Sequence, residues 1–375
     1  MKDTSLFFPA VQIKFPDEAL QNRVHTTKYA DTTNERNRPA ISFYLAAEEY
    51  VAQHYADLCG SCYFTWLTPP SVIVGRNQVL QYEVNLGVLQ KKHIQLIRRK
   101  SGGGAVLSDG NNMMTSLVLG KQYAGHDIES IFHKYALGNV SVLQKFGIEA
   151  IVSGRNDILL GNNGEYGKVS GNAFYKQRQH NIVHGTMLYD ADVNLMADVL
   201  LPDDKKLKFK GVKSVRSRVC TLRKYFELQG RNPEEFPSME AFRSAFPEVL
   251  CDKSLTLTEK DVANIWEIEA TYRDVEYLYG NQQDKPHYVL EDRFDGCGKV
   301  AINLYVENDI VENVSLSGDF FELESGSAIS AFQIFKGHRY DRAILLDVAR
   351  KIDICHAIRG MNDEMLASLI CQIGE

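Results

Sequence analysis

The sequence has no run of the roughly 18 uncharged apolar residues that a membrane-spanning helix requires. Its first apolar run, Leu6-Phe7-Phe8-Pro9-Ala10-Val11, is broken by Pro9 and soon followed by Lys14. It therefore lacks the charged lead and clean apolar region of a secretory signal. Cysteine is sparse and odd in number, seven in 375 residues, which argues against a disulfide framework and for a reducing compartment, most simply the cytoplasm. A large charge excess is also missing. The 42 Lys and Arg stand against 48 Asp and Glu, a net charge of −6, so no global field draws in nucleic acid. No internal repeat is visible. What is present is a globular mixture, 44% hydrophobic and 24% charged, which excludes a disordered chain. The length points to two domains, and 18 Tyr with 18 Phe supply their cores.

Two local patterns suggest metal or redox chemistry and fail on context. Cys59-Gly60-Ser61-Cys62 has redox-motif spacing, but it follows a helical pattern and leads into a strand. A thioredoxin-like site places its first Cys at a helix start, and a zinc site needs a second ligand pair. Both cysteines therefore read as ordinary thiols at a turn. His180 and His184 are four apart in a strand-like stretch, where they share one face too far apart for good zinc geometry.

Along the chain, the first 35 or so residues read as irregular, with a polar stretch at 26–37. Pro39 opens a helix in which Ile41, Leu45, Tyr50, Val51 and Tyr55 recur at helical spacing, with Glu48 and Glu49 offset from them. Strands are predicted at 63–67, 72–75, 94–99, 105–107 and 115–119, with a helix at 82–92. A helix over 127–146, ended by Gly147, precedes strands at 148–152, 157–160, 168–174 and 182–189, and Gly161-Asn162-Asn163-Gly164 turns a hairpin. The interval 228–257, rich in Pro, Glu and Ser, reads as surface cover. A helix at 258–272 and a polar linker at 280–285 then lead to strands at 288–294, 299–306 and 310–316. Helices at 325–335, 340–352 and 363–373 complete the chain. Strands dominate 94–189 with helices between, so the core is expected to be a mixed sheet with helices packed on it.

The strongest chemical signal is Arg98-Arg99-Lys100-Ser101-Gly102-Gly103-Gly104-Ala105-Val106. Three glycines in a row cost backbone entropy. One reason to carry them is close approach of bare backbone to an anionic ligand, with arginine able to grip a carboxylate or phosphate by two bonds. A flexible surface turn beside a solvated basic cluster is the other reading. A second constellation runs Ser153-Gly154-Arg155-Asn156-Asp157, then Gly167-Lys168-Val169-Ser170-Gly171-Asn172-Ala173, and closes with His184-Gly185-Thr186. Asp157 opens a strand and could hold Mg²⁺, which takes one or two carboxylates plus phosphate oxygens. Lys168 stands on an expected interior strand, where a lysine needs an anionic partner; on an edge strand it would face water. Between Lys205 and Arg218 lie seven basic residues, read either as a solvated loop or as a mobile phosphate-binding loop. Asp203 and Asp204 precede them and no RNA-recognition aromatic pattern accompanies them, which sets nucleic acid aside.

In this order, Gly75-Arg76-Asn77-Gln78, the glycine segment, Ser153-Gly154-Arg155-Asn156-Asp157, Lys168-Val169-Ser170-Gly171, His184-Gly185-Thr186 and Lys210-Gly211-Val212-Lys213-Ser214-Val215-Arg216-Ser217-Arg218-Val219 resemble the lipoate–protein ligase A family. The likeness runs from about residue 39 to 222 and more faintly through 272–280. It implies an α/β (α+β) fold, a biotin-synthetase-like (class II synthetase-like) mixed sheet flanked by helices, with a small C-terminal α/β accessory domain. The implied division is a catalytic domain over 1–280, its core at about 39–222, and the accessory domain over 281–375. The implied activity joins lipoate to ATP as lipoyl-AMP, then passes the lipoyl group to a lysine of an acceptor domain. That acceptor would belong to a 2-oxoacid dehydrogenase complex or be a glycine-cleavage carrier protein.

By the same resemblance, Arg99, Ser101, Gly102, Gly103, Gly104, Ala105, Val106 and Leu107 border the lipoyl pocket and the ATP, with Asn156, Asp157, Gly171, His184 and Thr186 completing the site. Lys168 is the catalytic lysine, between lipoyl carboxylate and α-phosphate, and Asp157 is the Mg²⁺ ligand. The 205–218 segment would close over the adenylate as the accessory domain swings. This chain departs from the family in carrying Ser108 at the usual His position, Met113-Met114, a long hairpin at 161–167, a long stretch before Pro39, and no proline near Tyr279-Gly280-Asn281-Gln282. Two other readings stand beside the ligase. An octanoyl or lipoyl carrier-to-carrier transferase on the same fold would use a cysteine near the site, whereas Cys62 and Cys220, nearest in sequence, lie outside 98–189. A non-catalytic lipoate-binding regulator would have no need of Lys168 and Asp157.

Overall fold

The computed structural model describes residues 7–16, 40–154, 156–201, 218–279 and 285–374. The polar stretch 26–37, Arg155, the basic residues 205–217 and most of the expected linker, 280–284, lie outside the described residues. Among those described, no helix is long and apolar enough to cross a membrane.

In chain order the strands are β1 (Ala10–Lys14), β2 (Ser61–Trp66), β3 (Ser71–Val74), β4 (Gln95–Arg98), β5 (Val106–Ser108), β6 (Asn112–Leu119), β7 (Ala150–Ser153), β8 (Asp157–Leu160), β9 (Gly167–Gln177), β10 (His180–Leu188) and β11 (Cys251–Thr256). Eight of them form one mixed sheet in the order β11-β1-β2-β6-β10-β9-β8-β7, with β1 parallel to both neighbours and the other pairs antiparallel. All eight residues of β6 are buried, as a strand covered on both faces requires. One face packs under helices α1 (Ile41–His54) and α4 (Glu259–Glu269), through Phe64, Trp66, Met114, Val118 and Ile182. The other packs against α2 (Ile128–Lys145) and α3 (Met239–Leu250), through Tyr63, Met113, Leu117 and Val183. A small sheet, β4-β3-β5, stands beside the first and spans the two ends of the glycine loop.

Local chemistry sets the helix ends. The Asp127 side chain accepts from the Ser130 N–H at 2.9 Å, and Gly147, at φ +65°, follows the other end of α2. Thr258 and Asp261 form a reciprocal capping box at the start of α4.

Three expectations need correction. The N-terminal region is not irregular throughout, since Ala10–Lys14 pairs in parallel with β2 and β11. The 228–257 interval is not surface cover: α3 buries Phe242, Ala245, Phe246 and Leu250, and β11 extends the main sheet. The helix expected at 82–92 is two short helices, Leu80–Glu83 and Leu86–Lys91. Val84 leaves the first to bridge Leu200, and the Asn85 side chain starts the second by accepting from the Val88 N–H at 3.2 Å.

The C-terminal strands β12 (Tyr288–Phe294), β13 (Gly298–Glu307) and β14 (Ile310–Gly318) form an antiparallel sheet close to the expected boundaries. Helices α5 (Ser327–Phe332), α6 (Arg342–Ala349) and α7 (Asp363–Ile370) cover it over a separate apolar cluster that includes Val300, Ile302, Phe332 and Leu369. This unit rests on the glycine loop and its neighbours. The Gly318 N–H donates to the Asn77 carbonyl at 2.8 Å, Phe321 packs on Phe132 at 5.8 Å between ring centroids, and Lys176 pairs with Glu324.

Candidate functional site

A cleft opens on the α1 face of the large sheet, and strand register explains its chemistry. Trp66 of β2 is paired with Met114 of β6, and Met114 with Thr186 of β10. The Thr186 hydroxyl accepts from the Gly171 N–H of β9 at 3.2 Å, and Gly171 is paired with Asp157 of β8. The row crosses five strands, roughly 19 Å at the usual strand spacing. Its character changes along the way. Leu45, Trp66, Ile73 and Met114 make one end apolar, whereas Asn156, Asp157, Lys168 and Asn172 make the other polar.

A β-bulge places the lysine. Asp157 faces Gly171 but Leu159 faces Lys168, so β9 carries one more residue than β8 over this stretch. That extra residue turns Lys168 to the face carrying Asp157; in regular pairing, residues three apart would point to opposite faces. The Lys168 ammonium then sits 2.7 Å from the Asp157 carboxylate. Gly171 provides the room, since a Cβ there would lie 2.6 Å from the Lys168 Nζ. Both sequence expectations hold: β9 is interior to the sheet and the lysine has an anionic partner.

The glycine loop is neither solvated nor loose. Arg98 and Arg99 are both buried, and their guanidinium groups bind carbonyls of the protein itself. Arg98 Nη1 donates to Gly75 and Gln78 at 2.9 and 2.8 Å, and Arg99 Nη2 to Gly102 and Gly104 at 2.6 and 2.9 Å. Burial lowers the Arg99 guanidinium to about 10, so it still carries its charge at neutral pH. Lys100 meets Glu49 at 2.6 Å. The glycines have an architectural reason as well. Gly103 adopts φ +89°, and a Cβ on Gly102 would lie 2.1 Å from the Phe320 carbonyl oxygen.

Behind the cleft runs a buried chain that sequence reasoning missed, because Glu48 and Glu49 read as the polar side of a helix. Both are buried, Glu48 completely. Glu48 accepts from the Ser116 hydroxyl at 2.6 Å and from His184 Nδ1 at 2.9 Å. The other His184 nitrogen lies 2.8 Å from Ser101 Oγ, which accepts from Arg99 Nε at 2.9 Å. Trp66 Nε1 donates to Ser116 at 2.8 Å. No local signal marks this chain, because Glu48, Ser101, Ser116 and His184 lie in four separate segments that only the fold brings together.

Of the residues singled out from sequence, Arg99, Gly103, Gly104, Ala105, Val106, Asn156, Asp157, Lys168, Gly171, His184 and Thr186 line the cleft. Ser101, Gly102 and Leu107 lie behind its wall, Ser101 and Leu107 within 1% of full burial. Met114 faces the cleft, while Met113 points into the opposite core. Ser108 is buried, 3.1 Å from the Thr68 hydroxyl. The C-terminal unit adds Arg293 and Asp319 to the wall, which no local sequence signal indicated.

None of the seven cysteines lines the cleft. Cys62 is buried within β2, not at a turn, and burial pushes its thiol up. Cys220, outside 98–189 in sequence, comes against Lys168 through a backbone hydrogen bond of 2.9 Å, but its thiol is buried and also raised. Thiolate chemistry needs the opposite shift.

Residues 40–250 match the family described as the lipoyl protein ligase A/B catalytic domain, and residues 285–370 match the bacterial lipoate protein ligase C-terminus. The lipoate-protein ligase LplJ of Bacillus subtilis is 30% identical over 338 residues, 89% of this chain and 97% of that protein. Lipoate–protein ligase 1 of Staphylococcus aureus is 33% identical over 74% of this chain and 81% of its own length. Among solved structures, LipL1 of P. falciparum in complex with lipoate superposes with a TM-score of 0.68 at 20% identity, covering 97% of this chain and 99% of that one. The bipartite lipoate protein ligase of Thermoplasma acidophilum, described with its E2 lipoyl domain, gives 0.55 at 24%, covering 74% and 98%. A lipoate-protein ligase A bound with ATP gives 0.51 at 25%, covering 64% and 94%.

Proposed function

The chain belongs to the lipoyl protein ligase A/B family, and from that premise we propose that its cleft joins lipoate to ATP and hands the lipoyl group to a lysine of a lipoyl-acceptor domain. It is a lipoate–protein ligase. The observation that carries the site assignment is the row from Trp66 to Asp157. An apolar end suits an aliphatic acid, and a lysine beside a carboxylate suits the place where that acid meets a phosphate.

Attack of a carboxylate on the α-phosphorus brings two anions together, and Lys168 stands where a fixed positive charge offsets their repulsion. Gly103, Gly104 and Ala105 border the same space. Leu45, Ile73 and Trp66 keep water from the chain of the acid. Among the described residues no three His, Cys, Asp or Glu side chains gather as a metal cage. A single carboxylate suffices for Mg²⁺ nonetheless, because that ion takes most of its ligands from phosphate and water. Asp157 would hold it, and the ion would supply further charge compensation for the phosphates. The acceptor is a lipoyl domain of a 2-oxoacid dehydrogenase complex or a glycine-cleavage carrier, and the work is done in the cytoplasm. Purified protein with lipoate, Mg-ATP and an acceptor domain tests this reading. Lipoate-dependent pyrophosphate release and a lipoyl mass increment on the acceptor are expected; neither appearing would end the ligase assignment.

Asp157→Asn should raise the Mg²⁺ concentration for half-maximal activity by about tenfold and the lipoate KM much less, because an amide binds a hard cation poorly. Titrating Mg²⁺ at fixed ATP measures it, and an unchanged midpoint would leave Asp157 only as the partner of Lys168. Alkylation of the folded protein, expected first at exposed Cys355, should spare both adenylation and transfer. With modified sites mapped by mass spectrometry, loss of transfer alone would favour the carrier-to-carrier mechanism.

A further inference from the structure

The charged wall of the cleft repeats one device from two different sheets. Lys168 is paired with Asp157 on the large sheet, and Arg293 of β12 is paired with Asp319 just beyond β14 on the small one. The second pair is the more buried, with side chains 11% and 6% exposed. Arg293 Nη1 lies 3.3 Å from Asp319 Oδ1 and Nη2 lies 3.1 Å from Oδ2, a two-pronged contact that fixes the plane of the guanidinium. Asp319 is itself held, accepting the Lys299 N–H at 2.7 Å. It is also tied to the catalytic half, because the next residue, Phe320, meets the Gly103 N–H through its carbonyl at 3.4 Å.

Such a pair is a poor device for stability alone, since taking two charges out of water costs about as much as their attraction returns. Its place on the wall gives it another use. A triphosphate is the most highly charged group this cleft would receive, and Arg98, Arg99 and Lys100 direct their side chains to protein carbonyls, to the Ser101 hydroxyl and to Glu49. A planar guanidinium held in fixed orientation matches phosphate oxygens two at a time.

We propose that Arg293 is a ligand of the ATP triphosphate, supplied by the C-terminal unit, with Asp319 as the positioning carboxylate. The assignment rests on the ATP-dependent reading above. It makes docking of the C-terminal unit a requirement for nucleotide binding.

The test uses the full chain and two readouts, direct binding of Mg-ATP by calorimetry and steady-state pyrophosphate release. Arg293→Met leaves Asp319 without this cationic partner and risks misfolding, so Arg293→Met/Asp319→Asn, which removes both charges together, accompanies it. The double variant should bind Mg-ATP at least tenfold more weakly, with the lipoate KM changed less than twofold. Arg293→Lys should recover part of the loss, and Asp319→Asn alone, which keeps one acceptor oxygen for the guanidinium, should weaken Mg-ATP binding by less than the double variant does. Transfer from supplied lipoyl-AMP, which keeps one of the three phosphates, should fall less than pyrophosphate release. Equal ATP affinity in wild type and double variant would overturn the proposal while leaving the ligase assignment intact. So would Asp319→Asn being as damaging as loss of the arginine, the result a purely structural pair predicts. If wild type released no pyrophosphate, the ligase assignment would fall, and the ATP affinities would still decide the role of Arg293.

Discussion

Lys168→Ala is expected to lower lipoate-dependent pyrophosphate release by about 10²–10³ while the fold survives. The rate effect follows from removing a fixed charge placed where negative charge gathers during attack on the α-phosphate, the usual magnitude for losing one such group. Survival follows from position. The lysine side chain is 34% exposed, so its pair with Asp157 is partly solvated and contributes little to stability. The backbone around it is held independently, by the Lys168 N–H to the Arg218 carbonyl and the Cys220 N–H to the Lys168 carbonyl, both 2.9 Å. Lys168→Arg should recover little, because the space over Gly171 is already filled by the Lys168 ammonium and a bulkier guanidinium does not fit it. Thermal melting and pyrophosphate release on the same preparations separate the two claims. Near wild-type release from Lys168→Ala would remove the lysine from the chemistry.

Much of this arrangement was legible because it is local. Lys168, Gly171 and Asp157 sit in one hairpin, and the turn glycines of 161–164 mark its register directly; Gly161 and Gly164 take φ +91° and +73°. The bulge that brings lysine and carboxylate to one face has no sequence mark beyond those flanking glycines. The C-terminal strands were found close to their ends because consecutive antiparallel strands alternate apolar and polar residues between short turns.

Long-range pairing was not legible. Ala10–Lys14 is five residues whose partners, Cys62–Tyr63 and Cys251–Thr256, are far off in the chain, so nothing local announces a strand. For α3 the signal was present but outweighed. Phe242, Ala245, Phe246 and Leu250 keep helical spacing, while the surrounding Pro, Glu and Ser suggested a solvated segment. Arg293 and Asp319 reach the cleft only because one unit packs on the other, which no motif encodes.

Glu48→Ala is expected to destabilise the protein by about 2–4 kcal/mol and to loosen the apolar end of the cleft, an effect of comparable consequence to loss of Lys168. The carboxylate is fully buried and accepts from two donors, Ser116 and His184. Hydrogen bonds to a charged group contribute about 1.5–3 kcal/mol each, and donors left unsatisfied in the interior carry their desolvation cost as well. The hydrogens can be assigned from the network. With His184 Nδ1 donating to Glu48, Nε2 accepts from the Ser101 hydroxyl, whose oxygen accepts from Arg99 Nε. Glu48 thus terminates a directed chain that fixes His184 in the cleft wall and, through Ser101, the start of the glycine loop. Ser116 carries a second branch to Trp66 at the far end of the row. Glu48→Gln keeps one acceptor oxygen and the shape of the side chain, so it should cost less than half as much. In that milder variant the lipoate KM should rise more than the ATP KM, because Ser116 links Glu48 to Trp66 at the apolar end. Urea unfolding of both variants, paired with the two KM values for Glu48→Gln, checks the argument. A Glu48→Ala protein within 0.5 kcal/mol of wild type would mean that water or a rearranged Ser116 replaces the carboxylate, and the network would lose its positioning role.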